Sequence, residues 1–188
     1  MENVKILALV GMSGSGKSVA VDYLTEKKYP KVYFGGMIYK EMEKRGIPRT
    51  DDGKAEKEFR EMIRETEGKD WVVRQVIGET RDLIQSGQRR IILDGVYSWT
   101  EYKALKKEFP TCLTFVAVVV DKKLRYDRVA VRPERPFDTT AIRERDLSEI
   151  ENLEKGGPIA AADYYILNNG SVDEMRERID EILKEIWF

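Results

Sequence analysis

Histidine is absent from this chain of 188 residues, and cysteine occurs once, at Cys112. These two shortages remove whole classes of chemistry. No disulfide can form within the chain, and a Cys/His zinc site has no ligands. Nucleophilic catalysis by a serine–histidine or cysteine–histidine pair is excluded as well. Any general base must be a carboxylate, a lysine or a bound water. A long apolar run is missing too: the longest, Phe115 to Val120, is far too short to span a bilayer. Charge of one sign is not in excess either. Lysine and arginine number 33 against 34 aspartates and glutamates, a net charge of −1, so no global field draws the chain to nucleic acid or to an anionic membrane. "MENVK" at the start lacks the pattern of a signal peptide. The expectation is a cytoplasmic protein with no nucleic-acid or membrane partner. In that setting "NGS" at Asn169 to Ser171 reads as a turn.

The apolar residues, 41% of the chain, come in short runs. "VKILALV" (Val4 to Val10), "RRIILD" ending at Asp94 and "LTFVAVVV" (Leu113 to Val120) suit strands buried on both faces of a parallel sheet. "KVYF" and "YYILN" are shorter candidates of the same kind. Helical patterns lie between them. Val72, Val73, Val76, Ile77, Thr80, Leu83 and Ile84 form one stripe; Val172, Met175, Ile179, Ile182, Leu183 and Ile186 form another. Capping boxes are spelled by Ser98 with Glu101 and by Ser171 with Glu174. Alternating strands and helices predict a single α/β domain over 1–188, a three-layer α/β/α fold around a parallel sheet. Two charged segments fit the alternation poorly. They are expected as flaps on the core: residues 35–87, mostly helical, and residues 125–157, which carry six arginines.

"GMSGSGKSVAV" follows the first apolar run without a break. Gly11, Gly16, Lys17 and Ser18 fit the spacing G-x-x-x-x-G-K-[ST] between a strand and a helix. Glycines let the backbone turn its N–H groups around phosphate oxygens, and the following helix adds its positive end. The expected phosphate-binding residues are Gly11, Met12, Ser13, Gly14, Ser15, Gly16, Lys17, Ser18 and Val19. Lys17 would reach the β and γ phosphates of ATP, and Ser18 would ligate Mg²⁺. Asp94 ends a parallel strand and so points into the ligand crevice, where it would hold the same Mg²⁺; Gly95 behind it would let a substrate approach. Arg125, Arg128 and Arg132 are spaced i, i+3, i+7, as on one helix face, and Arg135 follows in "RPERPF". Arginines offer planar forks to phosphate oxygens, although acidic residues interleave here and solvated ion pairs are the competing reading. Arg74 interrupts an apolar stripe, where it could reach a phosphate or snorkel.

This order of motifs, with "DG" after a central strand and "ADYYILNNGS" before a last amphipathic helix, resembles the nucleoside monophosphate kinase superfamily of P-loop proteins. Within it the chain is most similar to dephospho-CoA kinases and to adenylate-kinase-like ATPases of archaea and bacteria. The resemblance spans nearly the whole chain and is vaguest from Lys44 to Glu67. It implies a five-stranded sheet in the order 2-3-1-4-5, with ATP and Mg²⁺ as cofactors. It further implies catalytic roles for Lys17 and Asp94, and a lid carrying Arg128, Arg132 and Arg135. Asn168, Asn169 and Gly170 would border the adenine, and Arg74 would lie near the acceptor's phosphate. Dephospho-CoA kinases carry an aspartate after the second strand that takes a proton from the acceptor hydroxyl. Gly36 stands at that place here. A hydroxyl needs such a base, whereas a monophosphate is already anionic. The expected activity is ATP-dependent phosphoryl transfer to a nucleotide-like small molecule, by a monomer or small homo-oligomer. Dephospho-CoA kinase activity, with Asp94 or Glu41 as base, and a nucleotide-binding ATPase or switch remain as alternatives.

Overall fold

The first apolar run becomes the middle strand of the sheet, and the rest of the chain winds around it. The computed structural model describes residues 3–50, 54–132 and 137–188. In chain order it runs β1 (Lys5–Val10), α1 (Lys17–Glu26), β2 (Lys31–Tyr33), α2 (Phe34–Lys44), α3 (Lys54–Thr66), α4 (Trp71–Gln85) and β3 (Arg90–Asp94). It continues with α5 (Trp99–Glu108), β4 (Leu113–Val119), α6 (Lys122–Val131), α7 (Thr139–Glu151), α8 (Gly156–Ala160), β5 (Tyr164–Leu167) and α9 (Val172–Glu185). The five strands form one sheet in the order β2-β3-β1-β4-β5, and every pairing is parallel. This is the sheet implied by the resemblance.

Alternation along β1 divides the core in two. Ile6, Ala8 and Val10 join Ile91, Leu93, Phe115 and Ala117 on one face, beneath α2, α3, α4 and α5. Leu7 and Leu9 join Ile92, Val116, Val118 and Ile166 on the other, beneath α1 and α9. Successive side chains of a strand point to opposite faces, so an unbroken apolar run is what burial on both sides requires. Both capping boxes are formed: Ser98 opens α5 and Ser171 opens α9, each with its glutamate returning to the cap. Within the 35–87 segment, Val73 and Val76 of α4 are wholly buried, so this helix belongs to the layer that covers the sheet. α3 fills the stretch in which the sequence is least legible and buries Phe59 and Ile63.

Two local expectations are corrected. "KVYF" stops being a strand at Tyr33, and Phe34 opens α2 instead. The i, i+3, i+7 face of arginines is not completed, because α6 ends at Val131 and Arg132 is extended, with ψ 144°. Pro133 follows, and the proline ring disfavours helical backbone in the residue before it. Among the described residues no helix is long and apolar enough to cross a membrane.

Candidate functional site

Register places the site. Leu9 of β1 lies opposite Asp94 of β3, and Asp94 lies opposite Tyr33 of β2, so the carboxyl ends of three strands open on one crevice. Gly11 to Gly16 turn at its floor. Gly14 and Gly16 have φ of 82° and 92°, which L side chains rarely adopt. α1 then begins at Lys17 with glycine as its cap and no side chain bonded to its first N–H groups. These are donors that a helix cannot satisfy internally, at its positive end. The Ser15 hydroxyl is buried without a hydrogen-bond partner, which leaves another unused donor in the loop.

The loop is gripped from outside through its carbonyls. The Asn168 side-chain amide donates to the Ser15 carbonyl at 2.8 Å, and Arg125 Nη1 donates to the Ser13 carbonyl at 3.0 Å. Gly16 has a second reason to be glycine, since a Cβ there would lie 2.1 Å from Asn168 Nδ2. The carbonyl of Asn168 in turn accepts from Arg128 Nη1 at 2.8 Å. Asn169 accepts from the Asp121 backbone N–H at 2.9 Å, and Gly170 packs under the Glu174 carboxylate. Asn168, just after β5, thus braces the loop, a contact that the sequence reading did not foresee, while Asn169 and Gly170 meet Asp121 and Glu174 beside it.

Lys17 and Asp94 are ion-paired, with side chains only 16% and 11% exposed. Gly95 follows at φ 96°, and the Tyr97 ring covers it, 3.0 Å from where a Cβ would stand. Tyr33 folds back over the first turn of α2 so that its hydroxyl would lie 2.5 Å from a Cβ on Gly35, with its ring edge 3.2 Å from one on Gly36. The place of the missing aspartate is therefore roofed by a phenol. Burial pushes the Tyr33 and Tyr97 hydroxyls up; Tyr39 and Asp94 raise Tyr33 further, against a hydrogen bond with Tyr97, while Tyr33 and Asp94 raise Tyr97 further. Both are neutral donors at physiological pH and cannot serve as bases.

Lys155, which the sequence reading passed over, is buried at the same corner. Its ammonium lies 2.8 Å from Glu149 Oε2 and 4.9 Å above the centre of the Tyr97 ring. Burial draws this lysine below the ordinary lysine range; Glu149 opposes the shift, and the charge of Lys17 adds to it. No motif could have exposed it, because its partners are set by how α7 and α8 fold onto the sheet. Arg132 lies over the Phe137 ring at 5.1 Å. Arg135 lies outside the described residues. Arg74 is on the outer side of α4, bonded to Asp70 at 3.3 Å and to the Glu67 carbonyl at 2.9 Å. It borders a groove of about 270 Å³ between α2 and α4. Glu41 lines the same groove and holds Arg45 at 2.8 Å.

Glycines in left-handed backbone, unpaired helix N–H groups, a lysine at the helix start and a carboxylate facing it fit the phosphates of a nucleotide and a divalent cation. A glycine loop on the central strand of a sheet in this order defines a P-loop domain of the kinase-like kind. The chain belongs to the family described as "AAA domain", whose profile matches residues 7–154, and to the UPF0200 proteins. It is 30% identical over 184 residues to the UPF0200 protein of Thermococcus gammatolerans, covering 96% of this chain and 95% of that one. It is 32% identical over 190 residues to the UPF0200 protein of Sulfurisphaera tokodaii, covering 99% of each. Among solved structures, a sugar kinase from Janibacter sp. shares the fold at a TM-score of 0.59 and 16% identity, covering 96% of this chain and 95% of that one. The shikimate kinase of Acinetobacter baumannii, in complex with shikimate, does so at 0.57 and 18%, covering 98% and 96%.

Proposed function

We propose that the protein transfers the γ-phosphoryl group of ATP, with Mg²⁺, to a nucleotide-like small molecule. The observation that carries this reading is the Lys17–Asp94 pair at the mouth of the glycine loop. It sets an anion-seeking cation and a cation-seeking carboxylate side by side, at the point where three strands end. The N–H groups from Gly11 to Val19 bind and orient the triphosphate. Lys17 turns from Asp94 to the β and γ phosphates, and Asp94 with the Ser18 hydroxyl is then available to hold the metal. Bound Mg²⁺ supplies charge neutralisation on the phosphates during transfer. Arg128 and Arg132, with Arg135 between α6 and α7, act as the lid that excludes water, so that transfer is favoured over hydrolysis. Residues 35–87 supply the acceptor side, with Gly36 beneath the Tyr33 ring and Gly95 beneath the Tyr97 ring at its border, and residues 125–157 the lid.

The solved neighbours named as sugar and shikimate kinases support the reaction class. Phosphorus NMR with Mg-ATP tests the reading, using AMP, CMP, GMP, UMP, their deoxy forms and dephospho-CoA as acceptors. New diphosphate signals with one monophosphate are expected. The reading fails if Lys17→Ala binds and turns over ATP as well as the wild type does. Dephospho-CoA phosphorylation is the second reading. It asks Asp94 to act as base, since Gly36 offers none and Glu41 is committed to Arg45. ADP and free phosphate alone, unaffected by any acceptor, would indicate an ATPase or switch.

A further inference from the structure

Arg125 belongs to the arginine-rich segment, yet it is buried, with its guanidinium held between Asp146 and the Ser13 carbonyl. Its guanidinium forms a two-pronged pair with Asp146 of α7: Nη1 meets Oδ1 at 2.7 Å, and Nη2 meets Oδ2. The Tyr126 hydroxyl adds a third bond to Asp146 at 3.0 Å. The same Nη1 donates to the Ser13 carbonyl at 3.0 Å. Its stem is wedged against the loop: a Cβ on Gly14 would lie 3.0 Å from Arg125 Cγ and 2.4 Å from Val129 Cγ2.

We propose that Arg125, fixed by Asp146, is a positioning residue that sets the phosphate loop by holding the Ser13 carbonyl outward. In a trans peptide the carbonyl and the next N–H point in opposite directions. Pulling the Ser13 carbonyl toward α6 therefore turns the Gly14 N–H toward the inside of the loop. Asn168 does the same for the Gly16 N–H through the Ser15 carbonyl. A guanidinium is suited to this task, because its fork serves the carboxylate and still has an N–H for the carbonyl. A buried ion pair contributes little net stability, since desolvation offsets the attraction. Its value here is geometric. It also ties α7, within the lid segment, to the floor of the nucleotide site.

The inference rests on the nucleotide-binding reading for its affinity test and on the loop alone for its second test. Calorimetric titration with ATP and urea unfolding would be run on the wild type, Arg125→Met, Asp146→Leu, the double variant and Arg125→Lys. Each single variant is expected to weaken ATP binding about tenfold. The double variant is expected to regain wild-type unfolding stability while affinity stays low; Arg125→Lys should fall between. If Arg125 were a lid cation, Asp146→Leu would release it and tighten ATP binding, which would overturn the proposal. Should the single variants fail to fold, the double variant and Arg125→Lys carry the test. In the ligand-free protein, the Gly14 amide resonance is expected to shift in the double variant while that of Gly16 stays in place. An unmoved Gly14 resonance would sink the proposal even if the wild type binds no ATP, an outcome that by itself would remove only the nucleotide reading.

Discussion

The Lys17 ammonium and the Asp94 carboxylate neutralise each other across the crevice, linking the first turn of α1 to the end of β3. Each is thereby kept from the ligand it suits. ATP must draw Lys17 away from Asp94, and a divalent cation must take Asp94 in exchange. Asp94→Asn removes that competition. Binding of metal-free ATP is expected to tighten by about three- to tenfold, because an unpaired Lys17 is a stronger phosphate partner. Mg²⁺-dependent turnover is expected to fall by about 10²–10³ as the carboxylate is lost. Titration in EDTA and a steady-state assay check the two arms, and weaker metal-free binding would contradict the exchange.

Lys155 and Glu149 form a buried pair against the Tyr97 ring. Breaking it leaves an uncompensated charge, so Glu149→Gln is expected to cost about 2–4 kcal/mol at pH 7. The pH dependence has a definite sign. The folded lysine titrates below its unfolded value of 10.5. Between those two values the unfolded chain binds more protons, so stability rises with pH. Without Glu149 the folded lysine titrates lower still, and the loss should shrink as pH rises toward 10. Urea unfolding at pH 7 and 9.5 measures it; an equal loss at both would refute the buried-charge account.

Glu101 closes the cap of α5 by accepting from the Tyr97 and Ser98 N–H groups at 2.7 and 3.0 Å. Burial raises its carboxyl from 4.5 to about 7, against the pull of those two bonds. From 4.5 to about 7 the folded state holds the extra proton. This group's contribution is therefore full below 4.5 and is lost as pH rises through about 7. Glutamine keeps the capping geometry without the titration. Glu101→Gln should be more stable than wild type at pH 8 by about 1–3 kcal/mol and should lose that advantage near pH 4. Thermal unfolding across this range is the check.

Gly36 lies in the first turn of α2, its hypothetical Cβ 3.2 Å from the nearest atom of the Tyr33 ring, a close contact that a small shift of the ring relieves. Gly36→Asp needs no left-handed backbone, and its charge would sit near a helix N-terminus. Stability should change by less than about 1 kcal/mol. Gly35→Ala, facing the Tyr33 hydroxyl at 2.5 Å, should be markedly worse. With a carboxylate at position 36, phosphorylation of dephospho-CoA should rise relative to that of monophosphates. A panel assayed by phosphorus NMR reads the ratio, and an unchanged ratio would mean that position 36 does not govern the acceptor.

What the sequence determined by itself is local or periodic. The runs around Ile6, Ile92 and Val116 suited strands buried on both faces, and the spacing from Gly11 to Ser18 fitted a loop between strand and helix. Ser98 and Ser171 announced their helices three residues ahead of the partner glutamate. The strand order came with the resemblance. What the tertiary structure decided is how equivalent charges are used. Arg125, Arg128 and Arg132 look alike along the chain, yet one grips the Ser13 carbonyl, one braces Asn168 and one leaves the helix before Pro133. Lys155 carries no signal at all, and Arg74, which interrupts an apolar stripe, is exposed and paired with Asp70. The reason is physical. Backbone preference and apolar period act between near neighbours, so they are written in the order of residues. The environment of a charge depends on groups brought together only when the strands and helices pack.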